Sequence, residues 1–310
     1  MKDVLSTKFH YRTFKNWIRF SWLPIFSSLQ DRVIFLDSTI FSLVSGTFSG
    51  ISYVGIANTI GNTVSNANAI SVGLSPKLLA TQNIKHVEGI LDKTLLFAIP
   101  MLGFAIVFAK PVIWLLNPIY INGILIVYLW SLIHFIWVIR GILGSSIESL
   151  DQIDIGFRAS VKDFLKSNLF KVRLVYGIGA ITYLGFLVIA FLVARELGIS
   201  ELNTVILWGG VSVIVNVLVL ITLILMIRKN TSFNFQTVRT IKYLLITIVT
   251  CLISNQVLSK YLVYDQSIFV FGPRILPQVL LFIGMYFGII FLVDKQSRVF
   301  FIQIIREFKR

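Results

Sequence analysis

The stretch TVILWGGVSVIVNVLVLITLILMI, residues 204–227, contains no charged side chain and is followed at once by Arg228 and Lys229. A helix of about 20 apolar residues covers the ~30 Å hydrocarbon layer of a membrane, since each residue adds about 1.5 Å. Hydrocarbon offers no water to the backbone, so a segment that crosses it must satisfy its own peptide groups as a helix. This stretch therefore predicts a transmembrane helix.

Seven further apolar runs of similar length predict a protein that crosses the membrane several times. They are Trp17–Phe41, Phe48–Val72, Leu95–Leu116, Asn122–Leu143, Leu174–Ala194, Tyr243–Leu262 and Ile275–Val293. Apolar residues make up 56% of the chain, charged residues make up 14%, and the mean hydropathy is +0.85. In soluble domains, apolar residues average about 45–50% and charged residues about 25%. We expect an all-α, polytopic membrane helix bundle of about eight transmembrane helices.

The basic residues collect in every second gap between the apolar runs. One side of the predicted bundle holds those of residues 2–19, 77–93, 158–173, 228–242 and 295–310, and the other holds only Arg195, Lys260 and Arg274. Cytoplasmic loops carry such an excess, so we expect the chain in the cell membrane with both termini in the cytoplasm. The same distribution argues against nucleic acid as a partner, although the formal net charge is +14.

These assignments divide the chain into five segments. Residues 1–16 form a cytoplasmic N-terminal segment, 17–145 a four-helix part that carries the polar cavity face, and 146–173 a cytoplasmic amphipathic loop. Residues 174–293 form four further transmembrane helices, and 294–310 form a basic cytoplasmic tail. In the loop and the tail, apolar residues recur at helical spacing between basic ones. That pattern predicts helices that lie on the membrane surface or in solvent.

Two adjacent charges interrupt the first predicted span near its middle. Asp31 and Arg32 lie about eleven residues beyond Phe20, which places them ~16 Å deep, and a charge there costs about 2.5–3.5 kcal/mol. Two interpretations stay open: the pair lines a polar cavity, or each residue forms a structural ion pair with another helix. Asp37 lies nearer the outer end, where water reaches it. Asp31 and Asp37 are the candidates for ion coupling.

An asparagine recurs at every fourth position of the second predicted span. Asn58, Asn62 and Asn66 share one face of a helix, and Asn58 reaches the depth of Asp31. Amides of this kind line a translocation path or join helices inside a membrane, and the spacing leaves both functions open. Together with the Asp31-Arg32 pair, the row of asparagines is what a polar path would need.

Arg140 lies near the cytoplasmic end of the fourth predicted span. It either snorkels to the interface as an anchor or lines the cavity, because Gly141 and Gly144 follow it and Glu148 is near. The sequence carries no signature of an enzyme: its three histidines are scattered, and no G-x-x-x-x-G-K-[ST] phosphate loop occurs. We expect a protein without catalytic residues, metal or cofactor.

The order of these features resembles the polysaccharide flippases of the multidrug/oligosaccharidyl-lipid/polysaccharide exporter superfamily. The resemblance rests on Asp31-Arg32, Tyr53-Val-Gly-Ile-Ala57, Ser75-Pro-Lys-Leu78, the proline-bearing span with Pro100 and the outer turn Asn117-Pro-Ile-Tyr120. It is best between Trp17 and Ser146. The family looks like fourteen-span proteins whose two lobes surround a cavity that opens to each side in turn.

The resemblance implies that this chain matches the second lobe and its two appended helices. A first lobe would then be missing, so the chain would be a fragment, pair with a separately encoded half, or pair with a second copy of itself. The implied function is a transporter that flips a polyprenyl-linked oligosaccharide or polysaccharide precursor for export, with membrane lipids around it. The asparagines would contact the sugar, and Arg32 and Arg140 would hold the pyrophosphate.

Three other functions stay open at this point. One is a cation-coupled multidrug exporter of the same superfamily, and another is an incomplete half-transporter that needs a partner lobe. A polytopic glycan polymerase or glycosyltransferase fits less well, because its chemistry needs titratable groups on a sizeable outer loop. The largest predicted outer loop, residues 260–274, offers only Asp265 as an acid.

Overall fold

The structure is a computed structural model that describes residues 11, 14, 18, 35–81, 83–150, 161–265 and 267–308. Over these ranges the chain forms α-helices joined by short turns and two 3-10 segments, with no β-strand. The prediction of an all-α bundle is confirmed. The helices are α1 Leu36–Ser45, α2 Ser49–Ser65, α3 Leu74–Thr81, α4 Lys85–Val107, α5 Ala109–Leu116, α6 Ile124–Ser149, α7 Val161–Lys166, α8 Asn168–Glu196, α9 Glu201–Asn230, α10 Thr237–Tyr261, α11 Ile268–Val293 and α12 Lys295–Phe308; the 3-10 segments are Asn66–Ser71 and Pro118–Gly123.

Six helices of the described chain are long and apolar enough to cross a membrane: α4, α6 with its preceding 3-10 segment, α8, α9, α10 and α11. The protein is therefore a multi-pass membrane protein, as predicted. The predicted span Trp17–Phe41 lies mostly outside the described residues, which include its end in α1. The predicted span Phe48–Val72 is helical from Ser49 to Ser71 but is not among the six, because serines, asparagines and glycines interrupt its apolar residues.

The helices extend further than the apolar runs that predicted them. α4 begins at Lys85 instead of Leu95, and α6 ends at Ser149 instead of Leu143. α11 begins at Ile268, so Arg274, which was placed in an outer loop, lies inside a helix. Polar side chains at a helix end stay in water while the backbone continues its hydrogen bonds, so hydropathy does not mark where a helix stops.

The segments predicted as a loop and a tail are also mostly helical. Residues 161–173 form α7 and the start of α8, where the Ser167 hydroxyl caps α8 by accepting a hydrogen bond from the Phe170 N–H (3.1 Å). The tail forms α12. The predicted span Leu95–Leu116 is two helices, because the chain breaks at Phe108 and continues with Pro111 in the first turn of α5, where proline needs no N–H partner.

α6 lies in the middle of the bundle and packs against α2, α4, α8 and α9, while α10 packs against α4 and α11. Large apolar side chains cover the outward faces of α8 to α11, among them Ile181, Ile214, Leu218, Leu252 and Leu280. Such faces suit contact with lipid chains. The bundle has two ends. α4 and α10 begin and α9 ends at what we call the basic end, since Lys85, Arg239 and Arg228 lie there. We call the other the opposite end.

Candidate functional site

One face of α2 is exposed but polar. From Ser52 onward its exposed residues, together with the first residue of the 3-10 segment that follows, come at intervals of three or four, as the residues of a single helix face do: Ser52, Gly55, Thr59, Asn62 and Asn66. We call these five residues the polar stripe. Hydrocarbon cannot satisfy hydroxyl and amide groups, in contrast to the apolar faces of α8 to α11. The polar stripe is therefore suited to water or to another polar surface.

The three asparagines of the predicted row do not share one environment. Asn62 and Asn66 lie on the polar stripe, whereas Asn58 is half-buried and contacts α6. Its amide oxygen is 3.2 Å from His134 Nε2, and the Ser65 hydroxyl is 2.7 Å from His134 Nδ1. This pairing fits a neutral imidazole with its hydrogen on Nε2. Asn58 therefore joins helices, and sequence reasoning missed His134 because its partners are distant along the chain.

A close approach of α2 to α6 brings these side chains together. A Cβ at Gly61 would lie 2.5 Å from the His134 ring, so only glycine leaves room for the imidazole at this crossing. Beyond the crossing, α2 passes into its 3-10 segment, where the Asn68 amide oxygen lies next to Gly141 of α6. The polar stripe thus runs along α2 towards the depth at which Arg140 lies.

Arg140 lies well inside α6, about nine residues or ~13 Å from its end at Ser149. Its Nη1 donates a hydrogen bond to the amide oxygen of Asn216 on α9, which also accepts from Trp137 Nε1 (2.7 Å). Its guanidinium carbon lies 4.9 Å from the ring centre of Tyr176 on α8. The Tyr176 hydroxyl in turn donates to the Arg140 carbonyl (3.0 Å). Three helices therefore hold the side chain in place.

The positive charge of Arg140 has no carboxylate counterpart in the described part of the chain. Its Nε is buried without a hydrogen-bond partner among those residues. Glu148, which the sequence suggested as a neighbour, is paired with Arg173 instead (2.9 Å). Asn216 offers a neutral oxygen and Tyr176 a ring face, so neither cancels the charge. The charge of Arg140 therefore stays uncompensated among the described residues.

Asp37 lies in the first turn of α1 and is half-buried, whereas the sequence predicted a position that water reaches. Its carboxylate accepts hydrogen bonds from the Ser38 N–H (2.6 Å) and from the Tyr183 hydroxyl (2.9 Å). The Tyr183 oxygen in turn accepts from Trp208 Nε1 (2.7 Å). No ion pair involves Asp37 within the described ranges. Asp31 and Arg32, the other candidates in this part of the sequence, lie outside the described residues.

Two further polar clusters close the ends of the bundle. At the opposite end, Glu201 of α9 accepts hydrogen bonds from the Thr47 hydroxyl, the Ser49 hydroxyl (2.6 Å) and the Gly50 N–H (2.7 Å). The carboxylate thereby caps the positive end of the α2 dipole. A cavity of about 450 Å³ lies beside it, between the turn after α1 and the facing ends of α8 and α9.

At the basic end, Arg239 of α10 lies between two carboxylates. It is 2.5 Å from Asp92 of α4 and 3.5 Å from Asp294, which follows α11. The Ser297 hydroxyl and N–H both donate to Asp294 (2.5 and 2.9 Å). Burial raises the pKa of Asp294, but these hydrogen bonds and the charges of Arg239 and Lys242 outweigh it, so its pKa lies below the usual value. This cluster fixes α4, α10 and the start of α12 to each other.

Among the residues that the structure describes, no group of three histidine, cysteine, aspartate or glutamate side chains is arranged to hold a metal ion. The candidate site is therefore built from Arg140 with its partners and from the polar stripe. No protein-family model matches the chain, and neither a curated protein nor a solved structure matches it.

Proposed function

We propose that this chain forms one wall of a membrane transporter that flips an anionic, lipid-linked oligosaccharide, such as a polyprenyl-pyrophosphate sugar, across the cell membrane. The observation that carries the proposal is the charge of Arg140, which lies inside a membrane helix without a carboxylate counterpart among the described residues.

An arginine at such a depth costs about 2.5–3.5 kcal/mol on insertion scales, so it calls for a compensating interaction. Asn216, Tyr176 and Trp137 hold the guanidinium in place without neutralising it. A pyrophosphate supplies the missing negative charge, and its oxygens match the fork of N–H donors that a guanidinium presents. A phosphate head group is therefore the ligand that this environment favours.

The polar stripe supports the sugar part of the proposal. The side chains of Ser52, Asn62 and Asn66 offer donors and acceptors to sugar hydroxyls along about 20 Å of α2 and the following 3-10 segment, and the Thr59 hydroxyl, which donates to the Gly55 carbonyl (2.9 Å), offers an acceptor. Asn58 has its amide oxygen next to His134 and orients α2 against α6. The lipid tail stays in the bilayer, next to the apolar outward faces of the bundle.

The exposure of the polar stripe also favours a second wall. A translocation path needs polar surfaces on both sides, so we propose that another lobe or a second copy of the chain faces α2. In this arrangement both termini and the basic end lie in the cytoplasm. Asp37, and Asp31 from its sequence position, would couple the movement to an ion gradient.

A cation-coupled drug exporter is the competing function. An organic cation would meet the uncompensated charge of Arg140, and like charges in a site of low dielectric constant repel strongly. That repulsion favours the anionic substrate. Binding assays with an organic cation and a polyprenyl-pyrophosphate sugar therefore separate the two functions.

The test compares Arg140→Ala with the matched control Arg228→Ala, because Arg228 is an exposed arginine at the basic end of α9. Both variants are reconstituted in lipid nanodiscs, and binding of a short-chain polyprenyl-pyrophosphate sugar is titrated. We expect Arg140→Ala to lose at least about tenfold in affinity, which corresponds to one charge-assisted hydrogen bond of about 1.5–3 kcal/mol. Arg228→Ala should bind like the natural chain. Equal affinity of the two variants would contradict the proposal, as would preferential binding of the cation.

A further inference from the structure

A row of buried side chains connects Arg140 to Asp37 across α8 and α9. Arg140 donates to Asn216, and the Asn216 amide nitrogen donates to the Ser212 carbonyl (2.7 Å) and, at a longer 3.3 Å, to the Ser212 hydroxyl one turn earlier. The Ser212 hydroxyl lies near the Tyr183 hydroxyl, and Tyr183 donates to Asp37 (2.9 Å). We call Asn216, Ser212 and Tyr183 the linking side chains.

The linking side chains are shielded from the surroundings. Ser212, Asn216 and Tyr183 are each 7% exposed. Trp208 adds a second donor to the Tyr183 oxygen (2.7 Å), and its ring stacks on Phe41 of α1 with centroids 5.3 Å apart. Hydrogen bonds in such a dry environment polarise one another, so a change of charge at one end is felt at the other.

The hydrogen bonds all have one direction. Tyr183 has a single hydrogen and gives it to the Asp37 carboxylate, so its oxygen accepts from Trp208, and the only hydrogen bond that it can form with the nearby Ser212 hydroxyl is one that it accepts. Ser212 then accepts from the Asn216 amide, and the Asn216 oxygen accepts from Arg140. Every donor therefore points towards Asp37. The ionised carboxylate at one end stabilises the orientation that ties down the guanidinium at the other.

The cavity at the opposite end of the bundle lies close to Asp37. The 450 Å³ cavity is lined by Phe41 and Thr204, which lie one helical turn from Asp37 on α1 and from Trp208 on α9. Its rim carries the polar residues Ser45, Thr47 and Arg195. Asp37 thus lies about one helical turn from this cavity, whereas Arg140 lies about 10–12 Å further towards the basic end, as the separation of seven residues from Tyr176 to Tyr183 indicates.

We infer that proton uptake at Asp37 and anion binding at Arg140 are coupled through Asn216, Ser212 and Tyr183, with these three acting as positioning residues. This inference rests on the proposed function. A protonated Asp37 is a weaker acceptor for the Tyr183 hydroxyl, so the hydrogen bonds of the linking side chains can reverse. The Asn216 oxygen then no longer accepts from Arg140. The guanidinium then turns its donors to the anion. Loss of the negative charge at Asp37 acts in the same direction, since it no longer repels the anion.

Few other ionisable groups face this pathway. Tyr183 is the titratable side chain that faces Asp37 from α8, and α9 contributes only Trp208 and Ser212 there. Tyr176 faces Arg140, with the Glu148–Arg173 ion pair next to Tyr176, and His134 lies two turns before Arg140 on α6. Among the residues that the structure describes, Asp37 is the carboxylate that contacts the linking side chains. It is therefore the group whose protonation should change anion affinity.

Isothermal titration with sulfate, whose charge is constant over the range used, tests the coupling in nanodiscs at several pH values. We expect sulfate affinity to rise about tenfold as the pH is lowered and Asp37 takes up a proton, as for two charges ~12 Å apart. Repeating the titration in buffers of different ionisation enthalpy should show proton uptake on anion binding, which reaches at most about half a proton per anion for a tenfold coupling. By reciprocity, anion binding must raise the proton affinity of Asp37 by the same factor.

The variants separate this inference from the proposed function. Ser212→Ala and Tyr183→Phe each remove one oxygen atom, and both should bind sulfate with an affinity that no longer follows pH. Asp37→Asn should bind tightly at every pH, and the control Thr222→Val, a hydroxyl of α9 outside the row, should behave like the natural chain. Persistent pH dependence in Ser212→Ala and Tyr183→Phe would overturn the coupling alone. Undiminished sulfate binding by Arg140→Ala, or none by the natural chain, would overturn the anion site and the coupling with it.

Discussion

Gly144 controls the position of Arg140 through a contact that a single methyl group would destroy. A Cβ at this position would lie 2.2 Å from the Tyr176 hydroxyl and 3.2 Å from its ring carbon Cζ. The ring must therefore move away in Gly144→Ala. It would lose the 3.0 Å hydrogen bond to the Arg140 carbonyl and its place under the guanidinium.

The size of the effect follows from these losses. The hydrogen bond contributes about 0.5–1.5 kcal/mol and the cation–π contact about 0.5–2 kcal/mol, and crowding adds about 1–3 kcal/mol. The better helix propensity of alanine offsets about 1 kcal/mol of this loss in stability. We expect a net destabilisation of about 1–5.5 kcal/mol and weaker binding of the anionic substrate.

The matched control for this variant lies one turn away on the same helix. A Cβ at Gly141 would meet only the Asn68 amide oxygen, at 4.0 Å, so Gly141→Ala should be neutral or slightly stabilising. Thermal unfolding in detergent compares the two variants, and the double variant Gly144→Ala with Tyr176→Phe should regain part of the loss because the clashing oxygen is gone. If Gly144→Ala were as stable as Gly141→Ala, the packing described around Arg140 would be wrong.

Two further predictions concern the rest of the bundle. Gly61→Ala places a methyl group 2.5 Å from the His134 ring, so it should destabilise by about 1–3 kcal/mol, and thermal unfolding should show no such loss for Gly55→Ala, which has open space around it. Since the pKa of Asp294 is lowered in the folded chain, its stabilising contribution is present at neutral pH and disappears as the pH falls through that lowered pKa. The melting temperature of Asp294→Asn should therefore approach that of the natural chain at acidic pH, and a constant difference at all pH values would refute this assignment.

Much of the fold follows from the sequence because burial in a membrane is decided locally. The stretch 204–227 contains no charged residue and is long enough to cross the hydrocarbon layer. Inside hydrocarbon only a helix satisfies the backbone hydrogen bonds of such a segment. Of the predicted row of asparagines, Asn62 and Asn66 lie on the exposed stripe, whereas Asn58 is half-buried against His134 of α6. Helix ends were less accurate: Lys85, Ser149 and Arg274 continue their helices although they are polar.

The candidate site was only partly predictable because its contacts join residues far apart in the chain. Arg140 was a candidate from its position, but its partners Tyr176 and Asn216 lie 36 and 76 residues away. Tyr183 and Trp208 showed no pattern that distinguishes them from other aromatic side chains in apolar runs. Glu148 was expected near Arg140, yet it pairs with Arg173, whose position depends on how α8 packs against α6.

A translocation path along α2 requires that its polar stripe faces water inside the membrane. Cysteine labelling with a water-soluble thiol reagent tests it most directly, in a Cys251→Ser background that removes the only natural thiol. Asn62→Cys should react readily and be protected by the polyprenyl-pyrophosphate sugar, whereas Leu218→Cys, on the apolar outward face of α9, should stay unreactive. An Asn62→Cys variant as unreactive as Leu218→Cys, with and without substrate, would contradict the account.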